Sequence, residues 1–142
     1  MFTLIIFTDS ANKYDFGGHR QTRDAIIFDT VIFDYLENTR VFTNTNATKT
    51  ILEQCGCPSR IEILDVNSEL PDTDEDCVIV LETGDFAPYM PFVSKIVHVD
   101  WGRNYLGERK FFIDENKYVL NGEEYMSGSS HDEVCIRTYV RR

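Results

Sequence analysis

The chain reads as an α/β fold: a mixed, mostly parallel central sheet flanked by helices, with an antiparallel hairpin at its C-terminal edge. Three observations predict it. Apolar strand-like runs alternate with helical segments from the first residues onward, the order that βαβ units produce. Val78-Ile79-Val80-Leu81 is an unbroken apolar run, as expected of a strand covered on both faces. After residue 110 the helices stop, and Phe111-Phe112-Ile113, Tyr118-Val119-Leu120 and Val134 to Val140 read as strands separated by turns.

Taken in order, residues 2–8 predict a buried strand, 9–22 a glycine-bearing polar loop, 23–36 a helix and 40–43 a short strand. Asn46 to Gln54 predicts a second helix, with Asn46 as its N-cap and Gly56 as its stop. Arg60 to Val66 reads as a strand and 67–76 as a loop. The apolar run at 78–81 follows, then a short helix from Phe86 to Val93 interrupted by Pro88 and Pro91, then a strand from Lys95 to Val99. No repeat, low-complexity stretch or linker divides these elements. A chain of 142 residues, 42% hydrophobic and 13% aromatic, suits one domain over 1-142 with a single sizeable core.

Charge narrows the partners. The net charge is −10, from 24 acidic against 14 basic residues, which argues against binding a nucleic-acid backbone. The acidic run Asp72-Thr73-Asp74-Glu75-Asp76 reads as a solvated loop. No apolar stretch approaches the roughly 20 residues needed to span a bilayer. Met1 to Phe7 is too short for a signal-peptide core and lacks a basic leader, so a cytoplasmic protein is expected, alone or within a larger assembly. Of the four cysteines only Cys55-Gly56-Cys57 forms a close pair, while Cys77 and Cys135 read as small core residues. His19, His98 and His131 have no ligand spacing, so no metal is assigned.

One residue stands out for chemistry. Asp29 lies in Asp24-Ala25-Ile26-Ile27-Phe28-Asp29-Thr30-Val31-Ile32-Phe33, an otherwise apolar helical segment where a buried carboxylate has to be paired, protonated or used. Phe33 follows one turn later, so acid and ring share a face suited to a flat polar heterocycle. Asp24 with Phe28 repeats that spacing. Asp24, Asp29 and Asp34 recur every five residues, which spreads them around the helix and leaves at least one for solvent.

These residues, with Val41-Phe42-Thr43-Asn44-Thr45-Asn46-Ala47, Pro58-Ser59-Arg60, Phe86 to Pro91 and the ending Tyr139-Val140-Arg141-Arg142, together resemble dihydrofolate reductase nearly end to end. The resemblance implies that fold, NADPH-dependent reduction of dihydrofolate to tetrahydrofolate, and Asp29 as the acid that binds the pteridine and helps protonate N5. It implies that Phe33, Ile51 and Phe86 line the folate site and that Arg60 clamps a folate carboxylate, as a planar guanidinium does well. Gly17 would be the loop glycine, Gly84 the close backbone approach to the cofactor, and Thr45 with Asn46 the helix start facing a phosphate.

The departures lie on the cofactor side. Where the family has a Gly-Gly pair after its central strand, this chain has Glu82-Thr83-Gly84. Its basic 2′-phosphate contacts are replaced by Thr45-Asn46-Ala47, and a strand and helix for the adenosine half are replaced by Asp65 to Cys77. The loop tryptophan before the acid's helix is absent from Gly18 to Arg23, and the pteridine-linking threonine falls near His98 or Val99, where His98 is a polar substitute or a strand residue with an ordinary partner. The alternative to an enzyme is therefore a non-catalytic binding or structural protein of the same fold, such as an assembly component or phage accessory protein. A pyrimidine-nucleotide reductase of riboflavin synthesis shares the broad topology, but Arg60 and the Tyr139 to Arg142 ending fit folate better.

Overall fold

The computed structural model describes residues 2–36, 40–54, 61–63 and 76–142, with the side chains of 33–36 outside that set. Strands β1 (Phe2–Thr8), β4 (Arg40–Thr43), β5 (Ile61–Ile63), β6 (Cys77–Leu81), β7 (Val93–Asp100), β9 (Tyr118–Met126) and β10 (Val134–Arg141) form one sheet in the order β5-β4-β6-β1-β7-β10-β9. Every pairing from β5 to β7 is parallel, and β10 runs antiparallel to both β7 and β9. A hairpin of β2 (Lys13–Phe16) and β3 (His19–Arg20) joins β8 (Arg109–Lys110) in a second, three-stranded sheet. The mixed sheet with a C-terminal antiparallel hairpin is the predicted architecture.

Strand alternation divides the core into two layers. Ile5, Phe7, Val78, Val80, Val97 and Val99 point to one face, where helices α1 (Ala25–Leu36) and α2 (Asn46–Gln54) cover them with Ile27, Phe28, Val31, Ile32 and Leu52. Leu4, Ile6, Ile79, Leu81 and Ile96 point to the other face, under Tyr89 of a 3₁₀ helix (Ala87–Phe92), Phe111 and Tyr118. β6 is buried along its whole length, as its unbroken apolar run requires. Cys77 and Cys135 are buried thiols.

Some local expectations are corrected. The polar loop at 9–22 contains β2 and β3, held by the buried Asp9. Asp9 Oδ1 accepts from the Ala11 and Lys13 amides at 2.9 Å each, and Oδ2 accepts from the Tyr105 amide at 3.2 Å. Burial would raise this acid, yet those amides outweigh it and hold it below the usual value. Phe111-Phe112-Ile113 is not a strand: Phe111 drops into the core just after β8. Thr45, not Asn46, caps α2, its Oγ1 accepting from the Thr48 amide at 3.2 Å. Cys55 to Arg60 and the interval 64–75, including most of the acidic run and of the shortened adenosine segment, lie outside the described residues.

Candidate functional site

The start of α1 is fixed by Asp24, not by Asp29. Asp24 is 2% exposed and caps the helix, with Oδ1 accepting from the Ile26 amide at 3.1 Å. The same carboxylate gathers the turn before β10. Oδ1 accepts from the Ser129 amide and hydroxyl at 3.0 Å each, and Oδ2 accepts from the Ser130 amide at 2.8 Å, its hydroxyl at 3.1 Å and His131 Nδ1 at 3.2 Å. A carboxylate only accepts, so Nδ1–H is the donor to Asp24, and Nε2 is hydrogen-bonded to the Tyr105 hydroxyl at 2.8 Å. Burial opposes the charge on Asp24, but the amides of Ser130 and Ser129, with His131, outweigh it and hold the acid far below the carboxylate range. A Cβ on Gly128 would overlap this carboxylate.

Between α1 and α2 lies a cleft of about 280 Å³, walled by Arg23, Asp24, Phe28 and Asp29 on one side and Ile51 and Gln54 on the other. It brings Asp29 and Ile51 together. Asp29 is exposed on its rim, however, which corrects the expectation of a carboxylate buried in apolar surroundings. The physical reason is phase: Ile27, Phe28, Val31 and Ile32 form the apolar face of α1, and Asp29 stands about 100° round the helix from Phe28. Behind the cleft the core is aromatic. Phe28 stacks on Phe7 with centroids 4.9 Å apart, Phe7 on Trp101 at 5.3 Å, and Trp101 lies 4.7 Å from the His131 ring.

The start of α2 meets the end of β6. Thr48 Oγ1 donates to Glu82 Oε1 at 2.6 Å, and Arg20 Nη2 lies 3.2 Å from the same oxygen. Glu82 is 3% exposed, and burial, opposed by Thr48 and Arg20, pushes its acid above the usual value. Gly84 has φ +85°, and a Cβ there would lie 2.7 Å from Asn44 Nδ2, the group that donates to Thr83 O at 2.6 Å. Its backbone is engaged on both sides: the amide donates to Asp15 Oδ2 at 2.9 Å, and the carbonyl accepts from Tyr14 OH at 2.5 Å. Burial pushes the Tyr14 phenol up to about 12.

This arrangement does not fit a diphosphate. Two buried acids, Glu82 and Asp15, already accept from Thr48 at the helix start and from the Gly84 amide, the donors that such an anion would use. Arg20 and Arg109 are already paired to those two acids.

The other expected site residues disperse. Gly17 is exposed, with φ +59°, at the turn between β2 and β3. Thr45 caps α2 and Asn46 is exposed beside it. Phe86 lies on the far face of the sheet, edge-on to Tyr14 and Phe111, and so is separated from the α1–α2 cleft that it was expected to line with Ile51. His98 takes the ordinary strand role: Nε2 pairs with Thr8 Oγ1 at 2.7 Å, and burial lowers its pKa to about 4. The side chain of Phe33, and all of Arg60, fall outside the described residues. The sequence reading missed the Asp24–Ser129–Ser130–His131–Tyr105 network. A signal for its first member was present, an aspartate immediately before an apolar-periodic helix.

No protein-family model matches the chain, and no curated protein is similar to it in sequence. Among solved structures it is similar to a dihydrofolate reductase from Enterococcus faecalis complexed with NADP(H) and RAB-propyl. The TM-score is 0.67 at 15% identity, over 100% of this chain and 96% of that one. The parallel sheet, its antiparallel edge and the two helices on one face are thus arranged as they are in that enzyme, and the chain has a dihydrofolate-reductase-like fold.

Proposed function

We propose that the chain is a binding protein of dihydrofolate-reductase fold that takes a folate-type heterocycle in the α1–α2 cleft. The observation that supports this reading is the meeting, in one cleft, of Asp29 and Ile51 from two different helices, with Phe28 at its base. A carboxylate at the rim accepts two parallel N–H donors, the pattern an aminopyrimidine edge offers. Ile51 and the Phe28 ring supply apolar contact for the flat body of such a ligand. Asp24 is not the acid of this reading, because its oxygens are saturated by Ile26, Ser129, Ser130 and His131.

Catalysis is the second reading: NADPH-dependent reduction of dihydrofolate, with Asp29 as the pteridine-binding acid. It is favoured by the full-length likeness to a reductase complexed with NADP(H). The binding reading is preferred because Glu82 and Asp15 occupy the places where the cofactor's diphosphate would be held.

Thermal melts with methotrexate and with NADPH, each alone, test both. A ligand held only by the native state at about 100 times its Kd adds about 2.7 kcal/mol of stability. Stabilisation by methotrexate alone, abolished in Asp29→Asn, supports the proposal. Stabilisation by both ligands favours the reductase. A response to neither refutes a folate site and turns the search to protein partners in an assembly.

A further inference from the structure

On the face of the sheet opposite α1 and α2, a cleft of about 400 Å³ opens beside the 3₁₀ helix. Phe86, Met90, Phe112 and Tyr118 form its apolar walls, and Lys117 and Arg141 stand on it as cations. Its volume is in the range of small-molecule sites, and its lining has their usual pattern of apolar walls with few polar groups. We propose that this cleft binds a small aromatic carboxylate, the ring lying against Phe112 and Tyr118 and the carboxylate facing Lys117.

Two observations carry the choice of an aromatic anion. Lys117 and Arg141 stand together on this one cleft with no carboxylate partner within ion-pair distance among the described residues, although the chain holds 24 acids to 14 bases. Arg141 is held in place, with Nη1 donating to Pro91 O at 3.2 Å and Val93 O at 3.3 Å and its guanidinium 5.8 Å from the Tyr118 ring centre. Its charge therefore stays beside the cleft. The one carboxylate on the lining, Asp114, is turned to its own loop, accepting from the Asn116 amide at 3.0 Å. The second observation is the exposure of a large ring: Phe112 is 67% exposed, so a flat ligand covering it removes apolar area from water.

The site is independent of the α1–α2 cleft, and the test separates the two. The probes are 2-naphthoate and its neutral analogue 2-naphthalenemethanol, titrated against the whole chain by ligand-observed NMR. The expected result is saturable naphthoate binding, at least about tenfold tighter than the alcohol and weakened about tenfold in both Lys117→Glu and Phe112→Ser. Both substituted residues are exposed, so unchanged melting temperatures verify that the variants fold. Asp29→Asn leaves the binding unchanged. Equal affinity for acid and alcohol, unchanged binding in Lys117→Glu, displacement by methotrexate, or no binding to the unmodified chain each overturns the proposal.

Discussion

Asp24→Ala removes the cap of α1 and, in the same stroke, the acceptor that holds the turn before β10. The cap alone is worth about 1 kcal/mol. The larger part comes from the groups left behind, since the amides of Ser129 and Ser130 and the His131 Nδ1–H lose their acceptor. Breaking a buried, charged hydrogen-bond network of this kind costs roughly 3–5 kcal/mol. An unfolding entropy of about 2.1 cal/mol/K per residue gives roughly 300 cal/mol/K for this length, so the melting temperature should fall by about 10–17 °C. The acid's folded pKa lies below its ordinary 3.8, so its contribution is present above that pH and is lost as pH falls below it. Melts followed by circular dichroism from about pH 7 down to about pH 3 should therefore show the gap between the two proteins constant at first and beginning to narrow at the acid end. A loss under about 1 kcal/mol at neutral pH, or a gap that stays constant down to acid, would refute the assignment of Asp24 as the hub.

Three other outcomes follow from the same geometry. Asp29→Asn, on the exposed side of α1, should change stability by less than about 0.5 kcal/mol while abolishing any shift in melting temperature caused by methotrexate; a large loss of stability would mean that Asp29 is structural. Glu82 has a folded pKa raised above its ordinary 4.5, so the native protein loses stability as pH rises through that raised value, and Glu82→Gln should lack this decline in pH-dependent denaturant titrations. Equal slopes above pH 4.5 in both proteins would contradict the burial argument. Gly84→Ala, at φ +85° and with its Cβ in contact with Asn44, should cost about 1–3 kcal/mol in a chemical denaturation curve, and a neutral result would show that Asn44 moves aside freely.

Much of the scaffold was legible because it is written in apolar periodicity. β1 and β6 carry runs of Ile, Val, Leu and Phe that a buried strand explains, and the two helices fall within a residue or two of where their patterns put them. β2, β3 and β8 were not legible. They are two to four residues long, too short for a local period to mark them, and β8 joins β2 only through contacts distant in sequence, such as Asp15 with Arg109. The site was legible in part. Ile51 reaches the cleft with Asp29, but a single acid in an apolar segment does not reveal its phase on the helix; that is settled by which neighbours the sheet buries, here Ile27 with Phe28 and Val31 with Ile32. The partners of Asp24 lie more than a hundred residues away in Ser129-Ser130-His131, a separation that only the folded chain closes.

The outer edge of the large sheet carries its own protection. β9 ends the strand order, so among the described residues one side of its backbone has no neighbour in that sheet, and Val119, Leu120 and Tyr125 are exposed along it. A long edge of that kind is a template for another chain, and self-assembly into fibres begins at such templates. Two features work against it. The register shift opposite Thr138 and Tyr139 falls beside Gly122, bending the ribbon where a flat partner would have to lie. Glu123, paired to Arg137, and the exposed Glu124 follow directly, so a second copy docking edge to edge there would bring carboxylates together, and the short acidic kink turns such a copy away.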